Sequence, residues 1–356
     1  MNTREYKSYF RADIDAIAGY TPGEQPKVNK LIKLNTNENP YPPSPRISDM
    51  LKNFDASLLR LYPQPMCDSL RDVIAELHGV EQENIIVGNG SDDILTITVR
   101  CFSDAGKKTA CVDPTYSLYE VLAGIQGGQC MKIPLNEDFS LPENLLELLD
   151  GVNLLLLPRP NAPTGNSFDK SRIDDLCAKF DGIVLIDGAY ADFAEDSCME
   201  LAMKYPNVIV SRTLSKSYSL AGVRLGYAVA HRSIIEGMMK VKDSYNVNML
   251  TQKIAIEALL DRDYLEKTVA KIKRTRALLS SELAAIGFKV MPSEANFVLA
   301  SPPDGNAGLY FEALRKHNII VRYFPGERTG AFVRITVGTD DEIDQLLEVT
   351  RGLYAR

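Results

Sequence analysis

Short apolar runs alternate with helical patterns between residues 84 and 230, and this alternation constrains the fold more than any other feature of the sequence. Helical patterns begin after Ser91 or Asp92 and near 116, and they cover 142–149 and 169–180. The predicted strands are 84–87, 108–112, 129–133, 152–157, 183–187, 207–210 and 223–230. Strands joined by helices usually run parallel, so the sequence predicts an α/β fold whose large domain has a mostly parallel seven-stranded sheet between helices.

The last third of the chain has a different pattern. Two long helical patterns from about 250 to 285 precede four predicted strands, a helix at 306–317 and a closing helix from about 340. These four strands are 287–291, 296–300, 319–322 and 331–337. Apolar residues at helical spacing across 4–18 also predict a short N-terminal arm. We therefore expect three parts: residues 1–40 form the arm and part of a small domain, 41–250 a large domain and 251–356 a small α+β domain.

Composition excludes several classes of function. The chain has 356 residues, 45% of them hydrophobic and 24% charged, which is typical of a globular protein with room for two domains. A net charge of −7 and the lack of a cluster of basic residues with interleaved aromatics argue against nucleic-acid binding. Six cysteines without a CxxC pair and only three histidines predict neither a disulfide framework nor a metal site.

Targeting signals are also missing from the sequence. The N-terminus has no apolar h-region, and no run of 18 apolar residues occurs. We therefore expect a cytoplasmic enzyme that does not contact membranes, with its cysteines reduced.

The first candidate for a catalytic residue is a lysine. Lys216 lies between Ser215 and Ser217, just past the carboxyl end of the predicted strand 207–210, where open α/β sheets bind ligands. A lysine amine can form a Schiff base with an aldehyde, and pyridoxal phosphate is the common cofactor that uses one. The two serines and Arg224 are suitable partners for its phosphate. A solvated loop lysine is the alternative that this stretch leaves open.

The second candidate is a carboxylate at the end of an apolar strand. Asp187 closes the run 183–187, where an acid without a partner is costly. A protonated pyridine nitrogen would be such a partner, and the ion pair would keep the ring an electron sink. The alternative for Asp187 is a strand-end cap or a surface acid.

A glycine-containing turn between strand 84–87 and the following helix predicts an anion site. Glycine allows close approach of the backbone, and a helix start offers free N–H groups. A dinucleotide loop is a weaker interpretation, because the third glycine of GxGxxG would fall on Asp93. We expect the backbone of Gly90, Ser91 and Asp92 to hold a single phosphate.

Together these motifs resemble those of the fold type I pyridoxal-phosphate aminotransferases, in the form typical of the histidinol-phosphate aminotransferase family. The resemblance runs from Asn35 to Gly338, in the family's order. The matching segments are Asn-Glu-Asn-Pro at 37–40, Gly-Asn-Gly-Ser-Asp at 88–92, Pro-Thr-Tyr at 114–116, the lysine stretch 211–227 and Val-Arg-Ile-Thr-Val-Gly at 333–338.

The resemblance implies a role for each matching residue. The catalytic residues would be Lys216, Asp187 and Tyr190. Pyridoxal 5'-phosphate would also be bound by Gly90, Ser91, Asp92, Tyr116, Asn161, Thr213, Ser215, Arg224 and Tyr62. Substrate would be bound by Tyr20, Asn37, Arg322 and Arg334, with no metal involved.

Some of these roles need further comment. Tyr116 would stack on the cofactor ring, although core packing is an equal alternative from the residues alone. Tyr62 would reach the cofactor phosphate of the neighbouring subunit in a homodimer, and packing within its own chain is the alternative. Two positions depart from the family: Ala162 where asparagine is usual, so that Asn161 must replace it, and Gly188 where glutamate is usual.

Arg334 lies within the apolar run 331–337, where a charge either points to solvent or waits for an anion. The resemblance favours the anion, with Arg322 as a second arginine. It implies transfer of an amino group from L-histidinol phosphate to 2-oxoglutarate in histidine biosynthesis. Threonine-phosphate decarboxylase and aromatic amino-acid aminotransferase remain as alternative enzymes. The alternative outside the enzymes is a non-catalytic relative of the same fold.

Overall fold

A computed structural model of the chain describes residues 8–25 and 30–355. The strands are β1 (Ile32–Lys33), β2 (Ile85–Gly88), β3 (Lys108–Asp113), β4 (Gln129–Pro134), β5 (Val152–Pro158), β6 (Ile183–Asp187), β7 (Val208–Thr213), β8 (Gly226–Ala230), β9 (Lys289–Val290), β10 (Phe297–Ser301), β11 (Ile319–Ile320), β12 (Arg322–Tyr323) and β13 (Val333–Thr336). The helices are α1 (Ala12–Ala16), α2 (Pro45–Lys52), α3 (Asp68–His78), α4 (Ser91–Phe102), α5 (Leu118–Ile125), α6 (Leu145–Leu148), α7 (Lys170–Lys179), α8 (Leu201–Lys204), α9 (Arg232–Met239), α10 (Met249–Leu260), α11 (Arg262–Ile286), α12 (Ala307–Lys316) and α13 (Asp340–Tyr354).

Seven strands form the large sheet, in the order β2-β8-β7-β6-β5-β3-β4. Only β8 runs antiparallel to its neighbours, β2 and β7, and the remaining pairs of adjacent strands are parallel. The predicted α/β fold with a mostly parallel seven-stranded sheet is confirmed. Strand β5 shows why the prediction works: its central residues Leu154–Leu157 are covered by helices on both faces and are all apolar, whereas the exposed Asn153 lies near its start.

Side chains alternate between the two faces of this sheet and form two separate cores. Leu155 and Leu157 belong to one core, whereas Leu154 and Leu156 belong to the other, and all four are fully buried. Helices cover both faces, so the polar groups of the site lie where the strands end.

The small domain combines two sheets around its own core. Its four-stranded antiparallel sheet has the order β12-β13-β10-β9, and β1 pairs with β11 in a separate parallel ribbon. The predicted strand 319–322 is therefore two strands, because β11 joins the N-terminal segment and β12 joins β13. Leu34, directly after β1, packs in the core of this domain. Both ends of the chain thus contribute to the small domain.

The N-terminal helix is shorter than the arm predicted at 4–18, of which 4–7 lie outside the described residues. Helix α1 has five residues, and none of them is buried. Short helices depend on tertiary packing for stability. Among the described elements, α1 has its main contacts with α5.

The packing of α10 bears on where the domains divide. This helix lies against α2 and α3, and its buried residues Ile254, Ala255, Ala258 and Leu259 join the core of the large sheet. Helix α11 packs mainly on α13, β9 and β10, and it also contacts the segment Ala191–Phe193 that follows β6. We therefore propose that the division falls near Asp261, between α10 and α11, and not at 250.

Candidate active site

A cavity of about 440 Å³ opens at the carboxyl ends of β3, β5, β6 and β7, within the size range of small-molecule sites. Its large-domain wall is formed by residues that end or directly follow these strands. The opposite wall belongs to the small domain and the N-terminal segment, with Tyr20, Asn37, Arg322 and Arg334 among its residues. In a parallel sheet the carboxyl ends share one edge, so polar residues that are distant in sequence meet there.

Lys216 lies three residues beyond β7 and lines the cavity. Its Nζ donates a hydrogen bond to the carbonyl oxygen of Thr36 at 3.3 Å and lies 5.7 Å from the centre of the Tyr190 ring. Across the described chain, no carboxylate lies within 4 Å of this amine. The side chain is half-buried, so the amine is both sheltered and accessible from the cavity.

Asp187 ends β6 and also lines the cavity, although only 5% of it is exposed. Its Oδ2 accepts from the Tyr119 hydroxyl at 2.8 Å, and its Oδ1 accepts from the Ala189 N–H at 3.1 Å and from Ser211 Oγ at 3.2 Å. Burial raises the pKa of the Asp187 carboxyl, and the hydrogen bonds from Tyr119, Ala189 and Ser211 oppose that rise. A cation placed beside this carboxylate would stabilise its ionised form.

The start of α4 lies at the cavity. Ser91 and Asp92 are the first residues of this helix, where N–H groups lack intrahelical acceptors, and both line the cavity. Gly90 precedes them with a φ of 88°, and a Cβ there would lie 2.6 Å from Nη2 of Arg224. Glycine is therefore required by both the backbone angle and the close approach of the guanidinium.

Arg224 lies between the helix start and the lysine loop. Its Nη1 donates to Ser215 Oγ at 3.3 Å, and its Nη2 forms an ion pair with Asp92 at 3.1 Å. Thr213 and Ser215 line the cavity beside it, joined by a hydroxyl hydrogen bond of 3.1 Å. The group combines hydroxyls, a guanidinium and a helix start, which is a donor set suited to a phosphate.

Three tyrosines surround the centre of the cavity. Tyr20 and Tyr116 pack edge to face with ring centres 5.6 Å apart, and the Tyr116 hydroxyl donates to Asp92 at 3.3 Å. The Tyr190 hydroxyl accepts from Asn37 Nδ2 at 2.8 Å. Asn37 is held in turn by Thr336 of β13, whose hydroxyl pairs with both the N–H and the side-chain oxygen of Asn37. The small domain thus positions a tyrosine of the large domain.

Two arginines face the lysine from the small domain. Pairing of β12 with β13 places Arg322 directly opposite Arg334, an arrangement that is unfavourable for like charges unless an anion joins them. Arg334 Nη2 donates to the carbonyl of Asn35 at 2.8 Å, whereas its Nε is buried without a partner. Neither guanidinium has a carboxylate within 4 Å among the described residues. The charges of the pair are therefore not balanced by a carboxylate of the described chain.

Asn161 departs from the sequence prediction. The structure does not bring it to the cavity, because its fully buried side chain accepts from Thr115 and donates to Pro114 and Thr164 within the turn. The neighbouring Ala162 lines the cavity instead and offers no hydrogen bond. In this structure the Asn161 side chain is thus engaged within the turn, and its contact with the cofactor ring stays a prediction.

The second departure, Gly188, has a steric explanation. A Cβ at this position would lie 2.8 Å from the carbonyl oxygen of Ser211 and 3.2 Å from the Arg212 side chain. Contacts below 3.0 Å with backbone are not tolerated without a shift of the chain. In this chain, glycine lets β6 and β7 end close together.

Tyr62 lies away from the cavity, on the protein surface. It is 80% exposed and stacks on Tyr245, with ring centres 4.6 Å apart. Leu58, Leu59, Leu61 and Met66 are exposed nearby in the sequence. This apolar segment of the surface, Leu58 to Met66 with Tyr245, is called the tyrosine patch below.

Two contacts of the site were not predicted from the sequence. Tyr119 donates to Asp187, and Thr36 accepts from Lys216. The first had a signal: Tyr119 comes three residues after Tyr116 at the start of a predicted helix, so both rings share one face. The second is a backbone carbonyl, which has no signature in side-chain identity.

Two kinds of feature, a metal site and a membrane-spanning helix, were also looked for among the described residues. Among residues 8–25 and 30–355, no group of three or more His, Cys, Asp or Glu side chains is arranged to hold a metal ion. No helix in the same ranges has the length and apolar character needed to span a membrane.

A sequence profile of the family described as "Aminotransferase class I and II" matches residues 29–349, which is most of the chain. The chain belongs to the class I and II aminotransferases. The family resemblance inferred from the motifs is thereby confirmed. In this aminotransferase, the cavity lies at the edge of the sheet where the site was predicted.

Individual members of this family can also be compared with the chain. This aminotransferase is 45% identical to the histidinol-phosphate aminotransferase of Microcystis aeruginosa over 94% of its own length and 95% of that protein. It is 43% identical to the enzyme of the same name from Synechocystis, over 95% of the chain and 96% of the relative. Relatives of this name thus match nearly the whole chain.

Solved structures agree in fold. The histidinol-phosphate aminotransferase of Sinorhizobium meliloti, in complex with pyridoxal-5'-phosphate, superimposes with a TM-score of 0.88 at 26% identity, over 98% of this chain and 99% of that one. The L-threonine-O-3-phosphate decarboxylase of Porphyromonas gingivalis shares the fold with a TM-score of 0.80 at 20% identity, over 92% of this chain and all of that one. The predicted fold type I architecture is therefore confirmed.

Proposed function

We propose that this protein is a pyridoxal-phosphate-dependent histidinol-phosphate aminotransferase that transfers the amino group of L-histidinol phosphate to 2-oxoglutarate, in histidine biosynthesis. The observation that carries the proposal is the arrangement of Lys216 and Asp187 at strand ends, facing the opposed pair Arg322 and Arg334 across one cavity. Relatives named for this activity at 42–45% identity support the choice of substrate.

The residues present fit the cofactor at each end. Arg224, Ser215, Thr213 and the first residues of α4 would hold its phosphate. Asp187 would hold a proton on the ring nitrogen, since a buried carboxylate with hydrogen bonds to both oxygens is a stable counter-ion. Tyr116 would pack on the ring. When bound, the cofactor supplies an aldehyde for the amino group and an electron sink for the substrate carbanion.

Lys216 is the residue that moves a proton. Once its amine is free, Nζ takes the proton from the substrate Cα and delivers it to the cofactor C4′. The Thr36 carbonyl and the Tyr190 ring fix where Nζ lies before it acts. Tyr190 itself is held by Asn37, so the base and its neighbour are oriented from both domains.

Both half-reactions need the same two arginines. L-Histidinol phosphate carries a phosphate, whereas glutamate and 2-oxoglutarate carry carboxylates, and each has to place its reacting carbon beside Lys216. The guanidinium fork of Arg334 suits either anion in bidentate geometry. Burial lowers the pKa of Arg334, yet an arginine stays protonated near neutral pH and so keeps its charge for the substrate.

We also propose a homodimer in which Tyr62 serves the partner's site. The tyrosine patch supports this idea, because a monomer that exposes several large apolar side chains along one segment leaves them in water. A symmetric dimer would bury the patch twice with the same surface.

Hybrid dimers test the role of Tyr62. Subunits carrying Tyr62→Ala would be mixed with subunits carrying Lys216→Ala after mild dissociation and reassociation. If Tyr62 acts in the partner's site, each hybrid has one complete site, and random mixing restores about a quarter of wild-type activity. No recovery, or a monomeric active enzyme in sedimentation, would refute the proposal.

For the compartment, we propose the cytoplasm. All six cysteines are free thiols and four of them are buried, as expected where thiols stay reduced. The proposed partners are small molecules and a second copy of the chain, with no nucleic acid and no membrane. Cell fractionation against a cytoplasmic marker checks the location.

The deciding experiment is the visible spectrum of the cofactor-loaded protein before and after L-histidinol phosphate is added without a keto acid. We expect the band of the aldehyde form to convert to that of the amine form, and 2-oxoglutarate to reverse the change. No conversion would refute this donor, and threonine phosphate and aromatic amino acids would then be tested. Release of carbon dioxide from threonine phosphate would indicate the decarboxylase.

A further inference from the structure

Tyr119 is the buried neighbour of the ring-nitrogen carboxylate. It lies in the first turn of α5 with no exposed surface, and its hydroxyl donates to Asp187 Oδ2 at 2.8 Å. The other carboxylate oxygen, Oδ1, has two donors, Ala189 N and Ser211 Oγ, at 3.1 and 3.2 Å. Within the described chain, Tyr119 is the sole hydrogen-bond donor to Oδ2.

The direction of this hydrogen bond is set by the proton affinities. Burial raises the pKa of Tyr119 well above its usual value, and the negative charge of Asp187 adds to the rise. The phenol therefore remains neutral throughout the working range and can only donate to a carboxylate. Each donor to Asp187 offsets part of the cost of burying its charge.

We propose that Tyr119 is a positioning residue that acts on the cofactor through Asp187. Its hydroxyl fixes the plane of the carboxylate and keeps it ionised, so that the ring nitrogen of pyridoxal phosphate stays protonated. This inference rests on the proposed function, since it concerns the cofactor that the aminotransferase would bind.

The ring of Tyr119 packs against a second residue that would contact the cofactor. Its ring meets that of Tyr116 edge to face, with centres 5.6 Å apart and planes at 84°. Tyr116 would cover the cofactor ring, while Tyr119 holds the carboxylate at the ring nitrogen. The turn that leads into α5, from Tyr116 to Tyr119, would thus support the cofactor through two different contacts.

Tyr119→Phe is the direct test, because it removes only the hydroxyl. We expect pyridoxamine phosphate to bind about tenfold more weakly, the loss expected for one hydrogen bond to a charged group. With cofactor labelled by ¹⁵N at the ring nitrogen, the nitrogen resonance should move from the pyridinium position toward that of neutral pyridine. The kcat of the variant should also change, whereas its KM for the amine donor should not rise.

Tyr310→Phe is the matched control. Tyr310 is equally buried, and its hydroxyl pairs with Thr350 at 2.7 Å in the small-domain core, away from the cavity. Loss of that hydrogen bond should lower thermal stability but leave the ¹⁵N resonance unchanged. A merely structural role for Tyr119 predicts that both variants behave alike.

The pH profile of cofactor binding gives an independent readout. Binding of the protonated ring requires ionised Asp187, so affinity should fall as pH drops through the pKa of this carboxyl. Removing the Tyr119 donor raises that pKa, and the acid limb should move up by roughly one pH unit. The effects of the other titratable groups around the cavity are shared by both proteins; these groups are Tyr20, Asp92, Asp113, Tyr116, Tyr190, Lys216, Arg224, Arg322 and Arg334.

The outcomes separate the two proposals. If wild-type protein binds no pyridoxamine phosphate, the proposed function fails. If it binds but Tyr119→Phe gives the same ¹⁵N resonance and the same acid limb, the inference about Tyr119 is overturned. If Tyr119→Phe does not fold, 3-fluorotyrosine at 119 keeps the shape and donates more strongly; its acid limb should move to lower pH, and an unmoved limb overturns the inference.

Discussion

The two walls of the cavity differ in how their charges are matched. On the large-domain wall, Asp187 accepts three hydrogen bonds, and Arg224 is paired with Asp92 and Ser215. On the small-domain wall, Arg334 and Arg322 face each other across a strand pair without a carboxylate within 4 Å in the described ranges. Within the described residues, Asp187 and Arg224 of the large-domain wall are fixed by contacts with other protein groups, although Lys216 has no carboxylate partner. Both arginines of the small-domain wall lack a carboxylate partner.

This difference corresponds to two kinds of ligand. A cofactor that stays bound through many turnovers suits a wall whose groups are already fixed by mutual contacts. Substrates that enter and leave in two chemical forms suit a wall whose charge is satisfied only by what binds there. Two arginines opposed in this way lower the stability of the protein and favour the binding of an anion.

The largest effect is expected where the walls meet, at Lys216. Lys216→Ala should lower kcat by about 10⁴-fold, at the upper end of what a positioned acid or base contributes. Borohydride should no longer fix the cofactor to the protein. The control is Lys240→Ala, an exposed lysine at the end of α9. Continued fixation in the Lys216 variant, at another residue, would contradict the assignment.

Next in size is the small-domain wall. Arg334→Ala should lower kcat/KM about 100-fold for both substrates through KM, the usual size for loss of one partner of a buried charged contact. Arg334→Lys should recover only part of the loss, because an ammonium lacks the planar fork. Steady-state kinetics with each substrate measure this, and an unchanged KM for either one would count against the shared anion site.

A smaller effect is expected on the large-domain wall, and on a different quantity. Arg224→Gln should weaken cofactor binding about tenfold, since it removes a charge-assisted contact to phosphate. With saturating cofactor, KM for the substrates should stay near that of the wild type. Equilibrium titration of the apoprotein measures the affinity. A raised substrate KM without weaker cofactor binding would break the distinction between the walls.

The smallest effects should have opposite signs. Arg334→Met should raise the stability of the apoprotein by about 1 kcal/mol, because it removes one of two opposed like charges. Arg224→Met should lower the stability by a similar amount, since Asp92 loses its partner. Denaturant titration of both apoproteins provides the comparison. A loss of stability in Arg334→Met would show that its contacts with Asn35 outweigh the repulsion.

Residues at the ends of strands were the easiest to place from the sequence. Lys216 and Asp187 could be located because each comes at the end of an apolar run, and the carboxyl ends of parallel strands share one edge. Their roles in the reaction stay predictions until the variants are measured. The boundaries of β5 and β6 agree closely with the predicted runs, since the parts of these strands that are buried on both faces form continuous apolar runs.

Predictions that depended on turns and tertiary contacts were less successful. Asn161 was expected at the cavity, but the turn uses its side chain internally, and periodicity carries no information on such contacts. The run 319–322 was expected as one strand, yet its two halves pair with β1 and β13, which are about 300 and about 10 residues away in the chain. Tyr119 could have been found from its spacing to Tyr116, but only the fold brings it to Asp187.

The pairing of β1 with β11 has a consequence for the order in which this protein is made. Leu34 is synthesised before every strand of the large sheet, but its neighbours in the small-domain core, including Ile319, Ile335 and Leu346, are synthesised after all of those strands. The nascent chain can therefore complete the sheet of the large domain and its phosphate cradle while the N-terminal segment still lacks a partner. The wall that contains Arg322 and Arg334 is completed after the large sheet, so a ribosome-bound chain that stops before β12 would contain the proposed cofactor site but not the proposed substrate site.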